Sequence, residues 1–289
     1  MNTDTAVLVR DLRKSYPDVT AVDGIDLDIA RGEVFALLGP NGAGKTTTVE
    51  ILEGFRQRDR GTVAVLGHDP ADGRRAWRAR IGIVLQLAST GPELTVMEMV
   101  RHFASFYPCP RDPEEAIDLV GLTDKARSRI ASLSGGLTRR LDVALGIVGR
   151  PELLFLDEPT TGFDPEARRQ FWELIRALRT DGTTILLTTH YLDEAEALAD
   201  RIAVMASGRI VASGDPGSLG GRATADAHVS WDEPEVQGRT TVPTATPTRL
   251  VNELAARFGG EVPGLTVTRP SLEDIYLDLI TEAGHDRES

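Results

Sequence analysis

Three short runs rich in apolar residues punctuate the chain: Glu33 to Leu38, Leu153 to Leu156 and Thr184 to Thr188. Each is too short for a typical helix and lacks the alternation of a half-exposed strand. Such runs read as strands covered on both faces. Two further strands are predicted nearer the N-terminus, Ala6 to Arg10 and Ala21 to Ile29, separated by Tyr16-Pro17-Asp18. The second alternates only in part, through Val22, Ile25, Leu27 and Ile29. Between these runs the period changes to that of a helix. A helical stretch follows from Lys45 to about Gly54, and residues from about 86 to 150 read as mostly helical. There Asp112-Pro113 is a helix start, and Leu137, Leu141, Leu145 and Val148 repeat at helical spacing. Asp164-Pro165 opens another helix, whose apolar face is Phe171, Leu174, Ile175 and Leu178. Arg201 to Met205 and Arg209 to Ser213 read as a hairpin turning at Ser207-Gly208.

Strands separated by helices predict an α/β fold with a mainly parallel sheet covered by helices. In such sheets ligands bind beyond the carboxyl ends of the strands. The segments richest in chemistry, 39–47, 157–158 and 190, each follow a predicted strand and are expected to meet in one crevice. The composition shifts at Gly214 to Arg222, which reads as a linker. The expected organisation is therefore a domain over 1–213, with a helical subdomain over about 86–150, a linker over 214–222, and a small C-terminal α/β appendage over 223–289. In the appendage, Ser271 and Asp274 have capping-box spacing ahead of Leu272, Ile275, Tyr276 and Leu279.

Composition narrows the partners. The formal net charge is −12, which argues against nucleic acid or an anionic lipid surface as a general partner. Lysine is scarce, with Lys14, Lys45 and Lys125 against a background of arginine. A single cysteine, Cys109, excludes an internal disulfide and fits a reducing compartment. The N-terminus lacks a basic region followed by an apolar run, so no signal peptide is expected. No apolar stretch reaches the ~20 residues of a membrane-spanning helix.

The chemistry concentrates in two places. Gly39-Pro40-Asn41-Gly42-Ala43-Gly44-Lys45-Thr46-Thr47 fits the phosphate-loop pattern G-x-x-x-x-G-K-[ST] in full. Its glycines let main-chain N–H groups turn inward on phosphate oxygens, and the following helix presents its positive end to the same anion. Lys45 is expected to reach the β- and γ-phosphates, and the Thr46 hydroxyl to ligate Mg²⁺. Asp157 and Glu158 close the second buried strand. Asp157 suits the metal, a hard cation that takes oxygen ligands, and Glu158 suits polarisation of an attacking water. His190 ends the third strand. Taken alone it reads more readily as a structural residue than a functional one.

Leu133-Ser134-Gly135-Gly136, just before the helix through Leu137, adds a second glycine turn at a helix start. With the segments above, it resembles the signature of ATP-binding cassette proteins, in the family's order over about residues 7–213. The resemblance implies a P-loop NTPase core with antiparallel N-terminal strands and an inserted helical subdomain. It makes Tyr16 the aromatic residue that stacks on adenine, and Gln86 the glutamine that approaches Mg²⁺ and links the site to a membrane partner. Asp157 and Glu158 become the metal-binding and catalytic carboxylates, and His190 the switch histidine near the γ-phosphate. Asp164, in Thr161-Gly162-Phe163-Asp164, becomes the aspartate carried across a dimer. Ser134, Gly135 and Gly136 would cover the nucleotide held by a second copy, so a homodimer bridged by ATP and Mg²⁺ is implied. One departure stands out: the signature usually continues with glutamine, and here the residue is Leu137.

Pro270 to Leu277 and Thr160 to Pro165 resemble an export subgroup that includes daunorubicin-resistance-type ATPases. The resemblance implies an ATP-hydrolysing subunit on the cytoplasmic face of the membrane. It would drive a separate integral membrane permease and export drug or lipid-like cargo. The competing reading is a soluble, non-transport member of the same superfamily, acting in translation, repair or assembly.

Overall fold

The N-terminal strands β1 (Thr5–Tyr16) and β2 (Val19–Ala30) pair antiparallel. Val22, Ile25, Leu27 and Ile29 of β2 are buried, while Asp26 and Asp28 face out. The alternation skips between Val22 and Ile25 because Gly24, at φ 75°, is one residue too many in the ladder. Leu12 faces Ile25 and Arg13 faces Asp23, so the bulge returns the apolar side chains to one face. The computed structural model describes residues 4–84, 93–233 and 238–285.

Strand β3 (Val34–Leu38) leads into helix α1 (Lys45–Leu52), and β4 (Arg60–Val65) adds to the far side of β1. Helix α2 (Arg75–Arg78) precedes β5 (Ile81–Val84). Strands β4 and β5 were not anticipated: one opens on Arg-Gly-Thr and the other is four residues long, too short to display a period. From residue 93 to 150 the described chain is helical or looped. It carries α3 (Val96–Ala104), α4 (Pro113–Leu119) and α5 (Gly135–Ile147). Thr95 and Glu98 form a reciprocal capping box for α3, and Asp112 caps α4. Strand β6 (Leu153–Asp157), α6 (Pro165–Thr180), β7 (Thr184–Thr189), α7 (Leu192–Leu198) and β8 (Arg201–Ala206) follow. Strand β9 (Arg209–Gly214) returns through Ser207 (φ 51°) and Gly208 (φ 81°), the pair of positive values a two-residue hairpin turn requires.

The larger sheet runs β5-β6-β7-β3-β8-β9. Its first five strands are parallel, and β3, β6 and β7 are buried nearly throughout. Two-sided burial is why these strands read as unbroken apolar runs. Helix α6 buries Phe171, Leu174, Ile175 and Leu178, the stripe expected from sequence. One apolar core ties the antiparallel sheet to the parallel one, with Phe35 and Phe155 among its members and Trp77 donating its indole N–H to Val65 O at 3.0 Å.

The chain divides into two compact units, Met1–Val211 and Ala212–Ser289. In the second, β10 (Ala227–Glu233) pairs antiparallel with β11 (Gly238–Thr244) and β12 (Thr266–Thr268). Helix α8 (Pro247–Phe258) packs Leu254 on Val229 and Trp231. Ser271 and Asp274 exchange main-chain to side-chain hydrogen bonds at 2.8 and 3.1 Å, the capping box that starts α9 (Leu272–His285). The stretch expected to be a linker holds a 3₁₀ turn, Leu219–Gly221, against which Ile275 of α9 packs. Arg222 beside it donates to Pro216 O and Pro270 O at 3.2 and 3.0 Å.

Candidate nucleotide site

Strand order decides the site. β6, β7 and β3 are successive neighbours, and their ends are level: Asp157 pairs with Thr188, Leu37 with Thr188, and Leu38 with Thr189. Neighbouring strands lie about 4.8 Å apart. The loops that follow these three strands therefore open side by side. They carry Gly39 to Thr47, Glu158 and His190, segments far apart in sequence.

The loop after β3 turns through Gly39, Gly42 (φ 81°) and Gly44 (φ 103°). A Cβ on Gly39 would stand 2.3 Å from Met205 O, and one on Gly44 2.1 Å from Ala21 O. Main chain from β8 and β2 thus packs directly on the loop, and no side chain fits at either position. Gly208 N donates to Ala43 O at 3.0 Å, which ties the hairpin turn to the same loop. Gly44 caps α1 without a side-chain acceptor, so the first N–H groups of the helix are left to point at an anion. Pro40, Asn41, Gly42 and Thr46 are at the surface, and Thr47 is half-buried. The Lys45 ammonium is buried and donates to Gly39 O at 2.7 Å and Pro40 O at 3.1 Å. Burial pushes its pKa down, and the charges of Glu158 and Asp157 oppose that shift.

At the end of β6, Asp157 accepts a hydrogen bond from the Thr188 hydroxyl. Glu158 has a left-handed backbone, φ 42°, uncommon for a residue with a side chain. Its N–H donates to Thr188 O at 3.1 Å and Thr188 Oγ1 at 3.2 Å. Its carboxylate lies 3.3 Å from His190 Nδ1 and accepts from Thr161 Oγ1 at 3.3 Å. The His190 ring leans on Tyr191, centroids 4.1 Å apart. Thr188 and Arg139 were missed from sequence. Thr188 looks like one more strand residue, yet it bonds both carboxylate-bearing positions. Arg139 of α5 donates to Asp157 O at 2.8 Å and Pro159 O at 3.2 Å.

Three of the remaining expected residues, Tyr16, Asp164 and Ser134, stand at the ends of elements. Tyr16 ends β1 half-exposed, with the Lys14 ammonium 5.7 Å and the Arg56 guanidinium 5.5 Å from its ring centre. Asp164 caps α6, accepting from Glu166 N at 3.0 Å and Ala167 N at 2.8 Å. Ser134 caps α5, accepting from Leu137 N at 3.4 Å. A Cβ on Gly135 or Gly136 would meet nothing within 4 Å, so packing within this chain does not require glycine at either position. Leu137 is half-buried. Gln86 lies outside the described residues.

Known proteins are similar to this chain in sequence and in fold. The ABC transporter family model matches residues 22–161. The daunorubicin/doxorubicin resistance ATP-binding protein DrrA of Streptomyces peucetius is 40% identical, over 99% of this chain and 96% of its own length. The Nod factor export ATP-binding protein I of Paraburkholderia xenovorans (strain LB400) is 42% identical, over 75% of this chain and 73% of its own. A solved ATP binding subunit of an ABC transporter superposes with a TM-score of 0.69 at 25% identity, covering 95% of this chain and 99% of that one. An end-to-end relative and a phosphate loop set beside a carboxylate pair lead to one conclusion: the chain belongs to the ABC transporter family of ATP-binding proteins.

Proposed function

We propose that the chain is the ATP-hydrolysing subunit of an exporter, acting as a homodimer on a separate integral membrane permease. One observation carries this reading. A buried lysine in a glycine loop, a carboxylate pair and a histidine 3.3 Å from the second carboxylate converge at the ends of three adjacent strands. Phosphoryl transfer needs positioning and charge stabilisation more than covalent chemistry.

In this reading the loop N–H groups and Lys45 hold the triphosphate, and Tyr16 stacks on the adenine. Lys45 trades its two loop carbonyls for phosphate oxygens. Glu158 takes the proton of the attacking water, and His190 orients Glu158 and faces the γ-phosphate. The donors at hand suit Mg²⁺, which takes a few protein oxygens and completes its shell with phosphates and water. The exposed Thr46 hydroxyl and the free edge of Asp157 would hold it, joined by Gln86. Bound there, the ion neutralises charge on the β- and γ-phosphates.

Ser134, Gly135, Gly136 and Asp164 would meet the nucleotide and main chain of the second copy. Glycines that this chain's own packing does not need make sense where another molecule approaches closely. Among the described residues no helix is long and apolar enough to cross a membrane; in this reading the permease holds the chain at the membrane. Phe55, 67% exposed, lines a cleft with Ile81, Ile83 and Tyr107, and Phe106, 55% exposed, lines a second pocket that shares Tyr107; together they offer the permease an apolar seat. The names of the relatives, with drug resistance and Nod factor export in them, support export; in this reading the chain works at the cytoplasmic face on drug or lipid-like cargo. Drug sensitivity of cells carrying the chain with its cognate permease would test the cargo. The motor is tested with Glu158→Gln. It should bind Mg-ATP, lose turnover and run as a dimer in size-exclusion chromatography, whereas a persistent monomer that still hydrolyses ATP refutes the reading.

A further inference from the structure

We propose that Arg139 is a positioning residue that holds Glu158 in place from the signature helix. The inference rests on the reading of Glu158 as the group that accepts the proton of water. Arg139 lies five residues past Ser134, in the second turn of α5. Its Nη2 donates to Asp157 O at 2.8 Å and its Nε to Pro159 O at 3.2 Å. The two carbonyls belong to the residues immediately before and after Glu158. One guanidinium thus brackets the backbone from which the carboxylate projects.

That backbone needs a bracket. Glu158 sits at φ 42°, a conformation a side-chain-bearing residue keeps only when its surroundings over-determine it. Thr188 fixes the Glu158 N–H from the sheet side, at 3.1 and 3.2 Å. Arg139 fixes the flanking carbonyls from the helix side. Between them the 157–158 and 159–160 peptide groups are tied, and the Glu158 carboxylate lies 3.3 Å from His190.

Arg139 is also costly where it is. It is 8% exposed, and the Asp142 carboxylate stands 3.8 Å from its guanidinium. A buried guanidinium contributes less to stability than an apolar residue of similar size unless its donors are well used. Here they are spent on main-chain carbonyls beside the proposed base. Lysine would not substitute, because a single ammonium lacks the planar fork that spans two acceptors. Helix α5 thereby has two duties. Its first turn presents Ser134, Gly135 and Gly136 to a partner's nucleotide, and its second turn sets the geometry of the carboxylate for this chain's own.

The test compares Arg139→Met, Arg139→Lys and Glu158→Gln, singly and with Arg139→Met combined with Glu158→Gln, in the full chain. ATP affinity, measured by titration with Mg-ATP, should stay within about twofold of wild type in Arg139→Met and Arg139→Lys. Turnover should fall roughly tenfold or more in Arg139→Met, a loss of about 1.36 kcal/mol of transition-state stabilisation, and recover only in part in Arg139→Lys. In the Glu158→Gln background, Arg139→Met should change the residual rate little, because both act through one group. Wild-type turnover in Arg139→Met overturns the inference. So does a multiplicative loss in the double variant, or a joint fall of ATP affinity, turnover and melting temperature that lysine fully restores. Wild-type turnover in Glu158→Gln would instead sink the reading of Glu158 itself. Should Arg139→Met fail to fold, Arg139→Lys carries the same comparison.

Discussion

Glu53 follows the last turn of α1 and is 5% exposed. Burial, reinforced by the like charges of Asp157 and Glu50, raises its pKa from 4.5 to about 8. A folded-state value above the unfolded one means that the native protein holds a proton the unfolded chain has released between those limits. The stability owed to the neutral acid is therefore complete below about pH 4.5, falls across the window, and is gone above about 8. At about 1.36 kcal/mol per pH unit, moving from pH 5 to pH 8 costs the wild type about 3 kcal/mol through this group. Glu53→Gln keeps the shape and removes the titration. Melting followed by circular dichroism at several pH values reads the difference. With roughly 2–4 °C per kcal/mol for a unit of this size, the variant's advantage should grow by about 6–12 °C between pH 5 and pH 8. Asp142, raised to about 6 by burial, slopes the wild type the same way, so only the difference between the two proteins isolates Glu53. Glu152, held at about 2 chiefly by hydrogen bonds from Arg80 and Arg31, acts in the opposite sense. It costs stability only as the pH falls below about 4.5, outside the window. Melting curves that run parallel from pH 5 to pH 8 would refute the reasoning.

Other substitutions probe the loop. Lys45→Ala removes the ammonium that donates to the Gly39 and Pro40 carbonyls, and should abolish productive nucleotide binding in a fluorescent-nucleotide titration while leaving the fold intact. Gly44→Ala places a Cβ 2.1 Å from Ala21 O at φ 103°. The left-handed backbone alone costs about 1–2 kcal/mol, and the clash forces the loop to move. ATP affinity should fall at least about tenfold, and unchanged affinity would mean that the loop is not rigid.

The sheet strands that matter were legible because both faces are buried, which leaves an apolar run with no other explanation. Helix α6 was legible down to its stripe, since Asp164-Pro165 starts it and Phe171, Leu174, Ile175 and Leu178 keep one face. Strands β4 and β5 were not, because Arg60-Gly61 and a four-residue run carry too little pattern. Arg139 was invisible for a different reason. It adjoins Arg140, and the i, i+4 row of Leu137, Leu141 and Leu145 suggests that both arginines face solvent. In the fold α5 is buried on most sides, and Arg139 is enclosed while Arg140 stays half-exposed.

The residues alone pointed to the local chemistry, a phosphate loop and a carboxylate pair with the strand or turn that carries each, while His190 by itself read as structural. Such features depend on contacts within a few residues, so their spacing in the chain encodes them. Which strands are neighbours does not follow from spacing. Only the order β6-β7-β3, chosen by packing across the whole sheet, brings positions 39–47, 158 and 190 to one edge and sets Thr188 between the Asp157 carboxylate and the Glu158 N–H. The bracket around Glu158 likewise comes from a helix nearly twenty residues upstream, because a guanidinium's partners are decided by where elements pack and not by what adjoins it in sequence.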